Sequence, residues 1–267
     1  MASFTGAGGS DVGCWLASAA MRRGSGSYGP VTITTSLTID CGAGNVGNIV
    51  GSSVSGITIQ TTAAATIILR HLALNGLSAT TFLNGINAAS FFSGTLIVED
   101  CMIHGYHDGE GISFNPTSGR GLLQVSNSQM FDNYDGIAVQ PASGQIASVT
   151  LNTVELVGNS FGGLVFVGQG IVAGTMRSSV VGENGQDGVI AGASQVFFTI
   201  EESSIVDNLL IGIETNSAGS VVNVGASTIG GNGTGVLAES GSLISFGNNQ
   251  MSANGTNGNF TSTTALR

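Results

Sequence analysis

The stretch VSNSQMFDNYDGIAV, residues 125–139, decides the fold, because its parts recur down the chain. Its first nine residues align without gaps to VEDCMIHGY, LNTVELVGN, MRSSVVGEN, IEESSIVDN, VGASTIGGN and FGNNQMSAN. The first column reads Val98, Val125, Leu151, Met176, Ile200, Val224 and Phe246; the sixth is also aliphatic throughout. The ninth reads Tyr106, then Asn133, Asn159, Asn184, Asn208, Asn232 and Asn254. Downstream, Gly136-Ile137 belongs to a second series: Gly85-Ile86, Gly111-Ile112, Gly163-Leu164, Gly188-Val189, Gly212-Ile213 and Gly235-Val236, continued by Gly258. The steps are 26, 25, 27, 25, 24, 23 and 23 residues.

A repeat of that length marks a solenoid. Each period holds short runs alternating inward and outward, as strands require, separated by Gly and Asn, which tolerate corner backbone. Short Val/Ile strands cannot pack alone and stack on their copies about 4.8 Å apart. Three strands and three corners per period make one rung of an all-β, single-stranded right-handed parallel β-helix. The inward aliphatic residues then form ladders, and the Asn column bonds along the axis and satisfies corner backbone groups. ATIILRHLALNG (65–76) and PVTITTSLTIDC (30–41) extend the pattern to about nine rungs, roughly 40 Å of stack.

The ends of such a stack need caps. Residues 1–26 are expected to form the N-terminal cap, 27–258 the rungs and 259–267 a polar tail, all in one domain. Within the cap, SDVGCWLASAAMRRGSG reads as a short amphipathic helix started by Asp11 and stopped by Gly24, with Trp15, Leu16 and Met21 plugging the first rung.

The chain has 267 residues, 43 of them glycine, with 42% apolar and only 8% charged residues, the reverse of a disordered composition. Net charge is −10 with six Lys plus Arg, which excludes a nucleic-acid footprint and an anionic membrane surface as partners. No apolar run is long enough for a membrane helix. The three cysteines, Cys14, Cys41 and Cys101, have no metal-ligand spacing and make no disulfide framework. Cys101 heads a column of small inward residues and reads as packing. The opening MASFTGAGG has neither a basic nor an apolar leader region. The expectation is a secreted or periplasmic protein whose signal is absent from this chain, with a cytoplasmic one left open.

The chain resembles the right-handed parallel β-helix proteins of the pectate lyase-like superfamily, in a bacterial branch. The resemblance rests on SYGPVTITTSLTID (27–40), the recurring N-x(2,3)-G-[IVL] turns and LISFGNNQMSANGTNG (243–258), and covers about residues 28–267. It implies lyases, hydrolases, esterases and C5-epimerases of acidic polysaccharides, and also non-catalytic adhesin and fibre modules. No contiguous motif of any one activity is present.

In register, the enlarged corner of MIHGYHDGEGISF (102–114) becomes the candidate site. Tyr106, His107, Asp108 and Glu110 stack beside Asp132 and Asp135, and all six are expected to face outward along one edge as catalytic groups. Glu183, Asp187 and Arg120 are the candidate substrate-binding residues. Paired carboxylates can supply acid and base to glycoside hydrolysis. Asp108, Glu110 and Asp135 can ligate Ca²⁺, the one cofactor considered. Tyr with His can move a proton next to a carboxyl group, as a lyase or epimerase does, provided Ca²⁺ or an arginine neutralises that carboxyl. The competing reading is that these are turn residues bonding local backbone. His104 falls in a column with Phe131 and Val157 and lies outside the site. The outward column through Val165 and Ile190 is aliphatic and predicts an interface, with a second copy or an added chain segment, in a non-catalytic surface or assembly module. A carbohydrate-active protein with a polysaccharide partner is the first expectation and that module the second.

Overall fold

In a computed structural model, residues 2–4, 15–16, 26–42, 47–51, 53–79, 81–91 and 93–264 are described. They form a parallel β-solenoid of about nine turns, with no helix among them. The chain passes in turn through three faces. The first face holds Ile86–Phe91, Ile112–Pro116, Ile137–Val139, Leu164–Phe166 and Val189–Ala191. The second holds Ser93–Glu99, Ile171–Arg177 and Gln195–Glu201. The third holds Met102–Tyr106, Val180–Gly182, Ser204–Val206 and Thr228–Gly230. Arg120–Phe131 and Ile146–Val157 run across the bend from the second face to the third.

The strands pair in the register of the sequence columns. Ile86, Ile112, Ile137, Leu164, Val189 and Ile213 lie one above the next on the first face. Val98, Val125, Leu151, Met176, Ile200 and Val224 do so on the second. All are buried and belong to one apolar core. Phe166 and Phe198 meet edge-on inside it, with centroids 4.8 Å apart.

The Asn ladder is present. Asn133, Asn159, Asn184, Asn208 and Asn232 each send the backbone N–H and Nδ2 to the Oδ1 of the next Asn. Each Nδ2 also reaches a carbonyl of the preceding rung, as Asn184 does to Leu156 at 3.1 Å. A second ladder crosses another corner: Ser128, Ser179, Ser203 and Ser227 donate to a carbonyl two residues back and accept a backbone N–H from the rung before. Cys101 tops this column, buried, with its thiol pushed up to about 12 by desolvation.

The recurring glycine of the Gly-aliphatic pair serves close approach, not positive φ. A Cβ on Gly136 would lie 2.6 Å from the carbonyl oxygen of Gly163 in the next rung, and the same collision repeats along the column. Left-handed backbone sits elsewhere. One series is Asp132, Gly158, Glu183, Asp207 and Gly231; the other, at Asp100, Asn127, Thr153, Ser178 and Glu202, uses no glycine.

The expected capping helix lies mostly outside the described residues. Where it can be compared, the structure differs: Trp15–Leu16 pairs antiparallel with Asp40 and Ile39; ahead of the expected helix, Ala2–Phe4 pairs antiparallel with Val31–Ile33. Antiparallel strands occupy the open edges where a helix was read, which also removes free strand edges. Cys41 is disulfide-bonded.

Candidate functional site

The corner between the third and first faces carries the predicted residues. In its outermost column Tyr134, Phe161, Gln186 and Leu210 follow one another through backbone bonds: Phe161 N–H to Tyr134 O, Gln186 N–H to Phe161 O and Leu210 N–H to Gln186 O. The Tyr134 and Phe161 rings stack at 5.1 Å and 8°. The adjoining column, just before each glycine, is Asn84, Glu110, Asp135, Gly162, Asp187 and Ile211, linked by bonds such as Gly111 N–H to Asp135 O.

Asp135 is buried, 6% exposed, and Glu110 is half-buried on the rung before it. Desolvation pushes the Asp135 carboxyl up to about 7 against the bond from Gly162, and the Glu110 charge adds to the rise. Desolvation also raises Glu110. Tyr134 is raised by desolvation and by the charges of Asp135 and Glu110. Further along, Asp187 and Glu214 are raised by desolvation, Glu214 also by Asp187.

These carboxylates also hold backbone. Asp135 Oδ1 accepts the Gly162 N–H and Asp187 Oδ1 the Ile211 N–H, each at 2.9 Å. Asn84 Oδ1 does the same for Glu110 N–H. One column therefore combines turn closure with acidity, since Asp135 keeps its second oxygen outside that bond.

Tyr106 is not on the outer edge. It occupies the ladder position of Asn133, takes up the inward side and is fully buried. Its ring fills space left by Gly56, Gly76 and Gly85, and its hydroxyl has no hydrogen-bond partner among the described residues. Burial raises the phenol further above its usual range. A phenol sealed in the core touches no substrate, so the predicted Tyr106–His107 pairing is not formed.

His107 Nε2 lies 3.1 Å from Asp132 Oδ1, without the alignment of a hydrogen bond. Asp132 and Glu183 are exposed corner residues with left-handed backbone, φ 57° and 55°. Arg120 starts a second-face strand, and its Nε donates to Ser148 Oγ at 2.7 Å, away from the acids. Asp108 is half-buried in the turn that Gly109 N–H closes onto Tyr106 O. Among the described residues no three His, Cys, Asp or Glu side chains converge as a metal site, so Asp108, Glu110 and Asp135 do not form the Ca²⁺ cluster envisaged. His104 stacks on Phe131 at 4.8 Å and 3°, in the column expected for it.

Val165 and Ile190 are buried, 5% and 6% exposed, and present no strip to a partner. The bend at Gly162 lies over Val165: a Cβ there would sit 2.7 Å from Val165 Cγ2 and 3.1 Å from Asp135 Oδ1. On the outward side of the first face Val165 therefore packs against this bend, next to Asp135. Asn115, on the same outward side as Ser113, has a buried Oδ1 with no partner among the described residues. A separate concavity of about 410 Å³ lies at the other corner, between Asp100, Asn127 and Glu155.

No family model matches the chain, and a comparison with curated proteins finds no match. Among solved structures the chain is similar to the mannuronan C-5 epimerase AlgE4 A-module of Azotobacter vinelandii, with 13% identity over 91% of each chain and a TM-score of 0.39. Likeness at that level says nothing of what this chain does.

Proposed function

We propose that this β-helix protein binds a polysaccharide along the corner beside the first face and cleaves it by acid–base glycoside hydrolysis. Asp135 is the acid and Glu110 the base. The observation that carries the reading is a buried, desolvated carboxyl, Asp135, beside a second carboxyl, Glu110, on the adjoining rung. Protonated Asp135 delivers its proton to the glycosidic oxygen, and the Glu110 carboxylate takes one from the attacking water. Two carboxyls with different environments are what such a division requires. Lyase and epimerase chemistry receives less support, because Tyr106 is buried and no described arginine lies beside the acids to neutralise a uronate. Export fits the disulfide at Cys41.

The test is release of reducing ends from neutral, amino and acidic glycans by wild type and Asp135→Asn. The amide retains the acceptor for Gly162 N–H and loses the proton. Activity lost by at least about 100-fold in a folded variant supports the assignment; an unchanged rate removes it. A second reading, a non-catalytic binding module, is favoured by the bonds from Asp135 and Asp187 to the next rung's backbone. It predicts binding with no product from any glycan.

A further inference from the structure

Most of the large exposed apolar side chains among the described residues gather on one edge, with Met102 on the third face and Phe197 on the second lying apart from it. Val54, Leu77, Phe82, Tyr134, Leu209 and Leu210 are all exposed, Phe82 at 91%, and all lie on the corner between the third and first faces. From the rung of Val54 to that of Leu210 is six steps, roughly 29 Å along the axis. Single exposed apolar residues need no explanation, but a file of them along one edge marks a contact surface.

The charge along this edge has one sign. Asp132, Glu183 and Asp207, all exposed at left-handed positions, form a column beside the apolar file. The chain contains no lysine. The described arginines, Arg70, Arg120 and Arg177, all lie on the second face, where Arg70 pairs with Glu99 and Arg177 with Glu201 and Glu202. His107 is the edge's one ionisable base among the described residues, and it faces Asp132. A second copy of this chain would bring the same acidic file against itself, and a polyuronate would meet uncompensated like charge.

We infer that this edge takes an extended glycan carrying free amines, its ring C–H faces on the apolar side chains and its ammonium groups on Asp132, Glu183 and Asp207. The inference rests on the polysaccharide reading above and names the class of sugar. A linear polymer with one unit after another suits a surface whose features repeat rung by rung. The separate carboxyls of Glu110 and Asp135 stay free for chemistry beside it.

Calorimetric titration at about pH 6 tests this with three soluble probes of equal length: glucosamine oligomers, their N-acetylated counterparts and oligouronates. A lysine-rich peptide serves as a fourth. Glucosamine oligomers are expected to bind, to lose affinity as salt rises, and to bind about tenfold more weakly to Leu210→Ser and to Asp207→Asn. Both variants are at exposed positions and Asn tolerates the backbone at 207, so folding is retained. Equal binding of acetylated and free-amine oligomers, or preference for oligouronates, overturns the amine requirement and leaves the polysaccharide reading standing. Binding of the peptide with no oligosaccharide bound overturns both.

Discussion

The Asp135 carboxylate accepts the backbone N–H of Gly162, one rung further along the coil, at 2.9 Å. The same group sits in desolvating surroundings that hold its carboxyl at about 7. Removing the bond and removing the charge are therefore separable by mutation. Asp135→Ala leaves the Gly162 N–H without its acceptor and is expected to cost about 1–3 kcal/mol in urea unfolding. Asp135→Asn keeps the acceptor and is expected to stay within about 1 kcal/mol of wild type near pH 5. A loss in the Asn variant as large as in the Ala variant would show that the acceptor for the Gly162 N–H is not what Asp135 contributes to folding.

The pH dependence has a defined sign. Asp135 binds its proton more tightly when folded, at about 7, than in the unfolded chain, near 3.9. Its contribution is fully present below about pH 4 and is lost as pH rises through 7, so it opposes folding in alkali by a few kcal/mol at most. Wild type should lose stability between about pH 4 and pH 7 relative to Asp135→Asn. Thermal melts of both proteins across that window check it, and parallel curves would show that Asp135 titrates normally.

Tyr106 gives a contrast between a ring that fits and a hydroxyl that does not. Tyr106→Phe removes an unpartnered buried hydroxyl and is expected to leave stability unchanged or raise it by about 1 kcal/mol. Glycan turnover should not change. Gly76→Ala, by contrast, drives a Cβ against the Gly105 carbonyl and the Tyr106 ring and should cost about 3 kcal/mol or more. Loss of turnover in a stable Tyr106→Phe protein would return the phenol to the chemistry.

Within the Asn ladder, position along the coil should set the cost. Asn184→Ala removes two donors and an acceptor used twice in the buried interior, and is expected to lose about 3 kcal/mol or more. Asn254→Ala, at the partly exposed end, should lose about 1 kcal/mol. Equal losses at both positions would mean that the ladder is not a stack of coupled bonds.

Val165→Ser should destabilise by about 2 kcal/mol through lost burial, and leave sedimentation unchanged, because Val165 lies beneath the bend at Gly162. A change of oligomeric state with intact stability would restore the interface first read there.

The rungs were legible because their columns repeat: Val98 to Val224 and Asn133 to Asn254 carry the same physical demand at each turn. Alternation told which residues of the first face point outward. It could not tell depth, and so Val165 and Ile190 read as exposed when both are buried, Val165 against the bend at Gly162. Tyr106 misled for a related reason. The sequence aligned it with the inward Asn, yet its polar neighbours His107 and Asp108 drew it to the outer edge. The left-handed corner at Asp100, Asn127 and Thr153 carries no glycine and left no signal. The column before each glycine marks the acids Glu110, Asp135 and Asp187 in the sequence. Their burial depends on the bend over them, which spacing alone does not contain.

The amide ladder begins at Asn133 and the ring of Tyr106 stands where its next member would be. Asn133 is still tied back to Ile103 O, but no side-chain amide continues toward Gly76. The coil is thus spliced at this rung from an amide-stapled length into one whose corner is filled by the Tyr106 ring and joined by backbone bonds and the single contacts of Asn84 and Ser55. Under load, or in slow hydrogen exchange, the turns before Tyr106 should open as a separate unit while those from Asn133 onward remain closed.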